Sequence, residues 1–147
     1  MKPIQIKTGV VHIPVERDGE NVGEISFNPN DNIWIEKFYK LIGEFEKKQV
    51  EYERRAKELE ENQEKDEHGI AKNIAAGIAF RREVCENFWD KVDILFGEGT
   101  AQIVFGNTLE PELIGQFFNG ISRILENERS EKIEKHINEN LSGKVMK

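Results

Sequence analysis

The residues of this chain whose types and spacing come nearest to a chemical site are the glycines of "FGEGTAQIVFGN", Phe96 to Asn107. Glycine-rich loops hold phosphate because backbone amides can approach the oxygens, while a following lysine and hydroxyl engage phosphate and magnesium. "GEGTAQ" has neither the lysine nor the Walker spacing, and no GxGxxG follows a convincing buried strand. The stretch reads instead as punctuation between helices. Gly97 stops one helix in a left-handed conformation, Thr100 caps a short turn through Ala101 to Phe105, and Gly106 ends that turn in the same way.

The other reactive residue types are scattered. His12, His68 and His136 fall on a predicted strand, a loop and a terminal helix, with no HExxH and no short metal-ligand spacing. Cys85, the single cysteine, sits among apolar neighbours on a predicted helix and reads as a small buried residue. One cysteine excludes an intrachain disulfide and a zinc site with several thiolates, and its natural setting is a reducing compartment. Carboxylates are abundant, yet none stands in a predicted apolar cleft that would raise its pKa for acid–base work. The sequence therefore assigns no catalytic, metal or cofactor residue, and the expectation is a protein that is not an enzyme.

The elements that position these residues follow from periodicity and turn chemistry. Val11, Ile13 and Val15 alternate with other residues, "RDGEN" supplies a turn, and Val22, Ile25 and Phe27 follow, which predicts a β-hairpin. A first strand around Ile4 and Ile6 would extend it, and Pro14 should face an edge. "NPND" at Asn28 to Asp31 then stops the strand and offers a side-chain oxygen to cap a helix. Trp34, Phe38, Leu41, Phe45, Tyr52, Ala56 and Leu59 lie on one stripe of that helix, which should run to about Asn62. Its second half is densely charged, with Glu44/Lys48, Glu51/Arg55 and Glu53/Lys57 each four apart, and reads as a solvated face.

A break at Gly69 precedes a second helix carrying Ile70, Ile74, Ile78, Cys85, Phe88, Val92 and Leu95 on one side. The two should form an antiparallel helical hairpin. Its base, where Trp34, Phe38, Phe88 and Trp89 meet, is the expected core, and its distal end should project or fray. Thr108 is placed to cap a further helix with Pro111 in its first turn. That helix is apolar at Leu113, Phe117, Ile121 and Leu125, with Ile114, Phe118 and Ile124 widening the stripe. Ser130 would open a last helix with one thin stripe, Ile133, Ile137 and Leu141.

The fold expected is mainly α (α+β). One domain over 147 residues is organised as an N-terminal β-hairpin (1–29), a helical hairpin (30–96) and a C-terminal helical region (97–147). A net charge of −7 and a pI near 5.1 argue against a nucleic-acid partner, because no cationic excess is available to neutralise phosphates. No run approaches the roughly 20 apolar residues of a membrane span, and no apolar leader precedes the hairpin, so a soluble, cytoplasmic protein is expected.

The segment Arg81 to Lys135 resembles the C-terminal half of the small tail assembly chaperones encoded by long-tailed phages of Gram-positive bacteria. The resemblance rests on Phe96-Gly97, Gly99-Thr100-Ala101-Gln102, Val104-Phe105-Gly106, the FFxGI-like core from Phe117 to Ile121, and Arg129 to Ile133. "GEISFNPND" followed by an aromatic helix is similar to that group as well. The resemblance implies a non-catalytic assembly factor without a cofactor, working in the bacterial host cytoplasm and absent from the finished virion. Its implied partners are the phage tape measure protein, kept soluble until tail tube protein polymerises around it, and further copies of itself as a homo-oligomer.

Leu113, Phe117, Phe118 and Ile121 are the protein-binding candidates. Two adjacent phenylalanines point about 100° apart on a helix, so a single narrow contact does not bury both, and packing against two neighbours is the competing explanation. The alternative functional class is a small helical regulator or inhibitor that binds another host or phage protein.

Overall fold

The computed structural model describes residues 1–61 and 64–145, and side chains through Glu131. It is mainly helical, with a two-stranded hairpin ahead of four helices. Strand β1 (Val11–Arg17) pairs antiparallel with β2 (Glu20–Phe27), and Ile13 lies opposite Ile25. The turn between them is Asp18-Gly19, with φ of 54° and 82° at its two residues. Two positive φ values define the type I′ turn, whose twist matches that of paired strands and which Asp-Gly tolerates best. Alternation places Ile25 and Phe27 in the core, with Val11, Ile13 and Val15 packed against it.

The strand expected around Ile4 and Ile6 is not formed. Residues 1–10 have no ladder partner, and Ile4 and Ile6 are 90% and 79% exposed. A strand exists only where an edge is available to it, and alternation by itself cannot provide one.

Helix α1 (Asn32–Glu61) opens as the sequence anticipates: Asp31 Oδ1 accepts from the amides of Ile33 at 3.0 Å and Trp34 at 3.3 Å. Its expected end at Asn62 lies outside the described residues. Helix α2 (Lys72–Phe96) returns antiparallel. The Trp34 indole N–H donates to Leu95 O at 2.9 Å at the base of this helical hairpin, and Asn73 Nδ2 donates to Leu59 O at 3.0 Å at its far end. Phe38 and Phe88 are fully buried at the base, while Trp34 and Trp89 pack against the core from its margin.

The α2 stripe divides in two. Cys85, Phe88 and Val92 are buried, whereas Ile70, Ile74 and Ile78 remain about half exposed. Phe80, Val84 and Phe96, which the expected stripe does not include, supply the remaining buried positions of α2. The distal end is held by Tyr52 stacked on Phe80 and by the Arg55 guanidinium 4.4 Å from the same ring. Of the three expected charge pairs, Glu51–Arg55 forms at 3.9 Å. Lys48 instead reaches Glu51, and Glu44 crosses to Lys91 on α2 at 2.7 Å.

Helix α3 (Thr100–Phe105) occupies the glycine-rich stretch, and its start differs from expectation. Gly99, at φ 91°, precedes the first turn, and the Thr100 hydroxyl donates backwards to Gly97 O at 2.7 Å. The cap comes from α2: Asp93 Oδ1 accepts from the Ala101 amide at 2.8 Å. Gly97 ends α2 at φ 113° and ψ 147°, a region open to glycine but outside the left-handed helical well.

Helix α4 (Pro111–Val145) begins at Pro111 and continues through Ser130 without a second start. Proline suits the first helical position because the missing amide has no partner there, so the start moves past Thr108. Serine inside a continuing helical hydrogen-bond ladder does not by itself break it. The side chains of Ile133, His136, Ile137 and Leu141 lie outside those described.

Candidate functional site

Phe117 and Phe118 serve two different neighbours. Phe118 is 3% exposed, with its ring 5.8 Å from Phe38 and 5.5 Å from Phe45, both edge-on. Phe117 turns the other way, 5.0 Å from Phe96 and 5.6 Å from Phe105, and stays half-buried. Of the four residues proposed for partner binding, Phe118 is thus inside the core and closed to a partner in the folded chain. Leu113 and Phe117 are half-buried, and Ile121 is as buried as Phe118 at 2% exposed but lies on the side of Leu113 and Phe117.

These three residues line a groove of about 380 Å³ between α4 and the β-hairpin. Six consecutive residues of the first strand and turn, Ile13 to Asp18, line its other wall. Side chains alternate faces along a strand, so an unbroken run of lining residues means that the strand's edge faces the groove. The sheet has two strands, so among the described residues that edge of β1 has no ladder partner. Ile25, Phe105 and Ile121, all below 5% exposed, form the floor, and half-buried Val15, Val104 and Ile124 rise from it.

Helix α3 packs tightly on the hairpin at one end of this groove, to which it contributes Val104 and Phe105. Gly23 of β2, at φ 141°, comes so close to Ile103 that a Cβ there would sit 3.2 Å from the side chain. Arg17, the only cation lining the groove among the described residues, turns inward and donates to Ile103 O at 2.8 Å. Exposed Glu16 and Asp18 are left as the charged rim. On the opposite wall Gly120 has open space around its Cβ position. The result is an apolar trough with a strand edge on one side and a helix face on the other, suited to an extended or helical peptide.

The polar candidates form no comparable site. His12 Nδ1 lies 2.7 Å from Ser26 Oγ and 3.8 Å from Glu24 Oε1, a Ser/His/Glu grouping created by strand register that the sequence reading did not find. Both partners sit at the same ring nitrogen and the groups are well exposed. A nucleophile–base–orienter relay needs the two imidazole nitrogens to face different partners. His68 lies in the loop between α1 and α2, its amide bonded to Asp66 Oδ1. Cys85 is fully buried, and loss of hydration, reinforced by the Glu110 charge, pushes its thiol up to about 11. Among the described residues no three His, Cys, Asp or Glu side chains are grouped to hold a metal ion. No described helix is long and apolar enough to cross a membrane.

The chain matches no protein-family model, no curated protein and no solved structure.

Proposed function

We propose that the protein is a non-catalytic tail assembly chaperone that binds the phage tape measure protein through the β1–α4 groove and keeps it soluble in the host cytoplasm. One observation carries the reading. Val104 and Phe105 from one stretch that bears the resemblance, and Phe117, Gly120 and Ile121 from another, line the same groove. An apolar trough fits the stripe of an amphipathic segment, and the acidic surface around it favours solubility of the complex. Displacement by polymerising tail tube protein would then release the client.

The test is co-expression with the tape measure protein of the same genome. The tape measure protein should stay soluble and co-purify with the wild-type chain. Gly120→Leu, which fills the groove from a helical position with free space, should fold normally and lose the client. A tape measure protein that stays insoluble beside the folded wild-type chain would end this reading and leave a regulatory protein-binding role.

A further inference from the structure

Residues 1–10 form an arm without helix or strand, exposed along its whole length. Its base is clasped: Asn28 Nδ2 donates to Thr8 O at 2.9 Å, and Asn28 Oδ1 accepts from the Asn30 amide at 2.9 Å. Gly9, at φ 93°, holds a backbone conformation that residues other than glycine rarely adopt, against the Asn30 side chain. Beyond this clasp Ile4 and Ile6 are two residues apart, on one side of an extended chain, and both are almost wholly exposed. The arm does not cover its own molecule's groove.

We infer that the arm of one copy occupies the β1–α4 groove of a second copy, with Ile4 and Ile6 directed at Phe117 and Ile124 and the backbone beside the open edge of β1. Length, charge and chemistry agree on this occupant. Lys2 to Lys7 extended spans roughly 20 Å, the same as the six residues from Ile13 to Asp18 that form the strand wall. The first fifteen residues contain Lys2 and Lys7 and no acid, so with +2 there the remainder must carry −9 to reach the chain's −7. A basic arm therefore meets an acidic body, and Glu16 and Asp18 on the rim are placed to receive the lysines that flank the two isoleucines. Pro14 has no amide to donate, which interrupts the edge and restricts it to one short segment instead of open-ended sheet growth.

The arm and the client would occupy the same groove in turn, so self-association is read by mass on the chain alone, with no client present. The full chain should run above its 17.0 kDa protomer mass in light scattering. Both Ile4→Ser with Ile6→Ser, which spoils the arm, and Gly120→Leu, which fills the groove, should run as protomers. Mixing these two variants should restore association, because the intact arm of one meets the intact groove of the other. A misfolded arm variant could not offer the groove, and an unchanged circular dichroism spectrum and melting temperature of Gly120→Leu show that its own fold is kept. A wild-type chain that stays a protomer at its highest soluble concentration, an arm variant that keeps the wild-type mass, or a mixture that fails to associate would each overturn the assignment. If complementation succeeds while the tape measure protein fails to co-purify, the arm stands and the chaperone reading falls.

Discussion

Arg17 on β1 donates its guanidinium N–H to Ile103 O on α3 at 2.8 Å, and the same guanidinium lies where a Cβ on Gly106 would come within 3.1 Å. One side chain thereby fixes the hairpin against α3 and closes the space beside the glycine that ends it. Arg17→Met leaves a carbonyl without its charged donor and should cost about 1–3 kcal/mol. Gly106→Ala adds strain at φ 61° and a clash, roughly 1–3 kcal/mol. Because they share one contact, the double variant should lose less than the sum, which urea unfolding of all three variants would reveal.

Phe118 and Phe117 should separate by burial. Phe118→Ala opens a cavity among Phe38, Phe45 and α4 and should lower stability by about 3–5 kcal/mol. Phe117→Ala removes a ring that is already half-hydrated and should cost only about 1–2 kcal/mol. Thermal melts that rank the two in the opposite order would contradict the packing described for α4.

Cys85 should be unreactive in the native state. Burial holds its thiol protonated, so a disulfide reagent near pH 8 should label the folded chain only through opening and the denatured chain rapidly. The accompanying stability is fully present below the ordinary value of 9.0 and declines as pH rises toward about 11, since the unfolded thiol ionises first. Fast labelling without denaturant would show that the α2 core is more open than drawn.

The Glu44–Lys91 pair should give the helical hairpin a small acid sensitivity. The hydrogen bond from Lys91 holds the Glu44 carboxyl below its ordinary value, against a smaller opposing effect of burial. A depressed folded pKa means the stabilisation is complete above the unfolded value, near 4.5, and is lost as pH falls through the lower folded value. Both side chains are more than a third exposed, so solvent screening limits the pair to about 0.2–1 kcal/mol. Glu44→Gln should flatten this part of the stability–pH curve between pH 3 and 5, roughly the range in which an ordinary carboxyl titrates, and leave neutral-pH folding intact.

The sequence by itself determined what depends on neighbours within a few residues along the chain. The Asp18-Gly19 turn, the Asp31 cap, the alternation of Ile13 and Val15, and the stripe through Phe38, Leu41 and Phe45 are local signals, and they place the hairpin and the first helix. Tertiary structure decided whatever required distant partners. Asp93 caps α3 from eight residues away, Glu44 finds Lys91 across the helical hairpin, and Phe117 and Phe118 face different aromatic neighbours within one core. Local spacing also left Ile4 and Ile6 looking like a strand, because alternation describes a face and cannot supply an edge for it. The groove is of the same kind. Its walls come from β1, α3 and α4, and the packing of Arg17 on Ile103, of Gly23 beside it and of Phe117 on Phe105 brings those walls together.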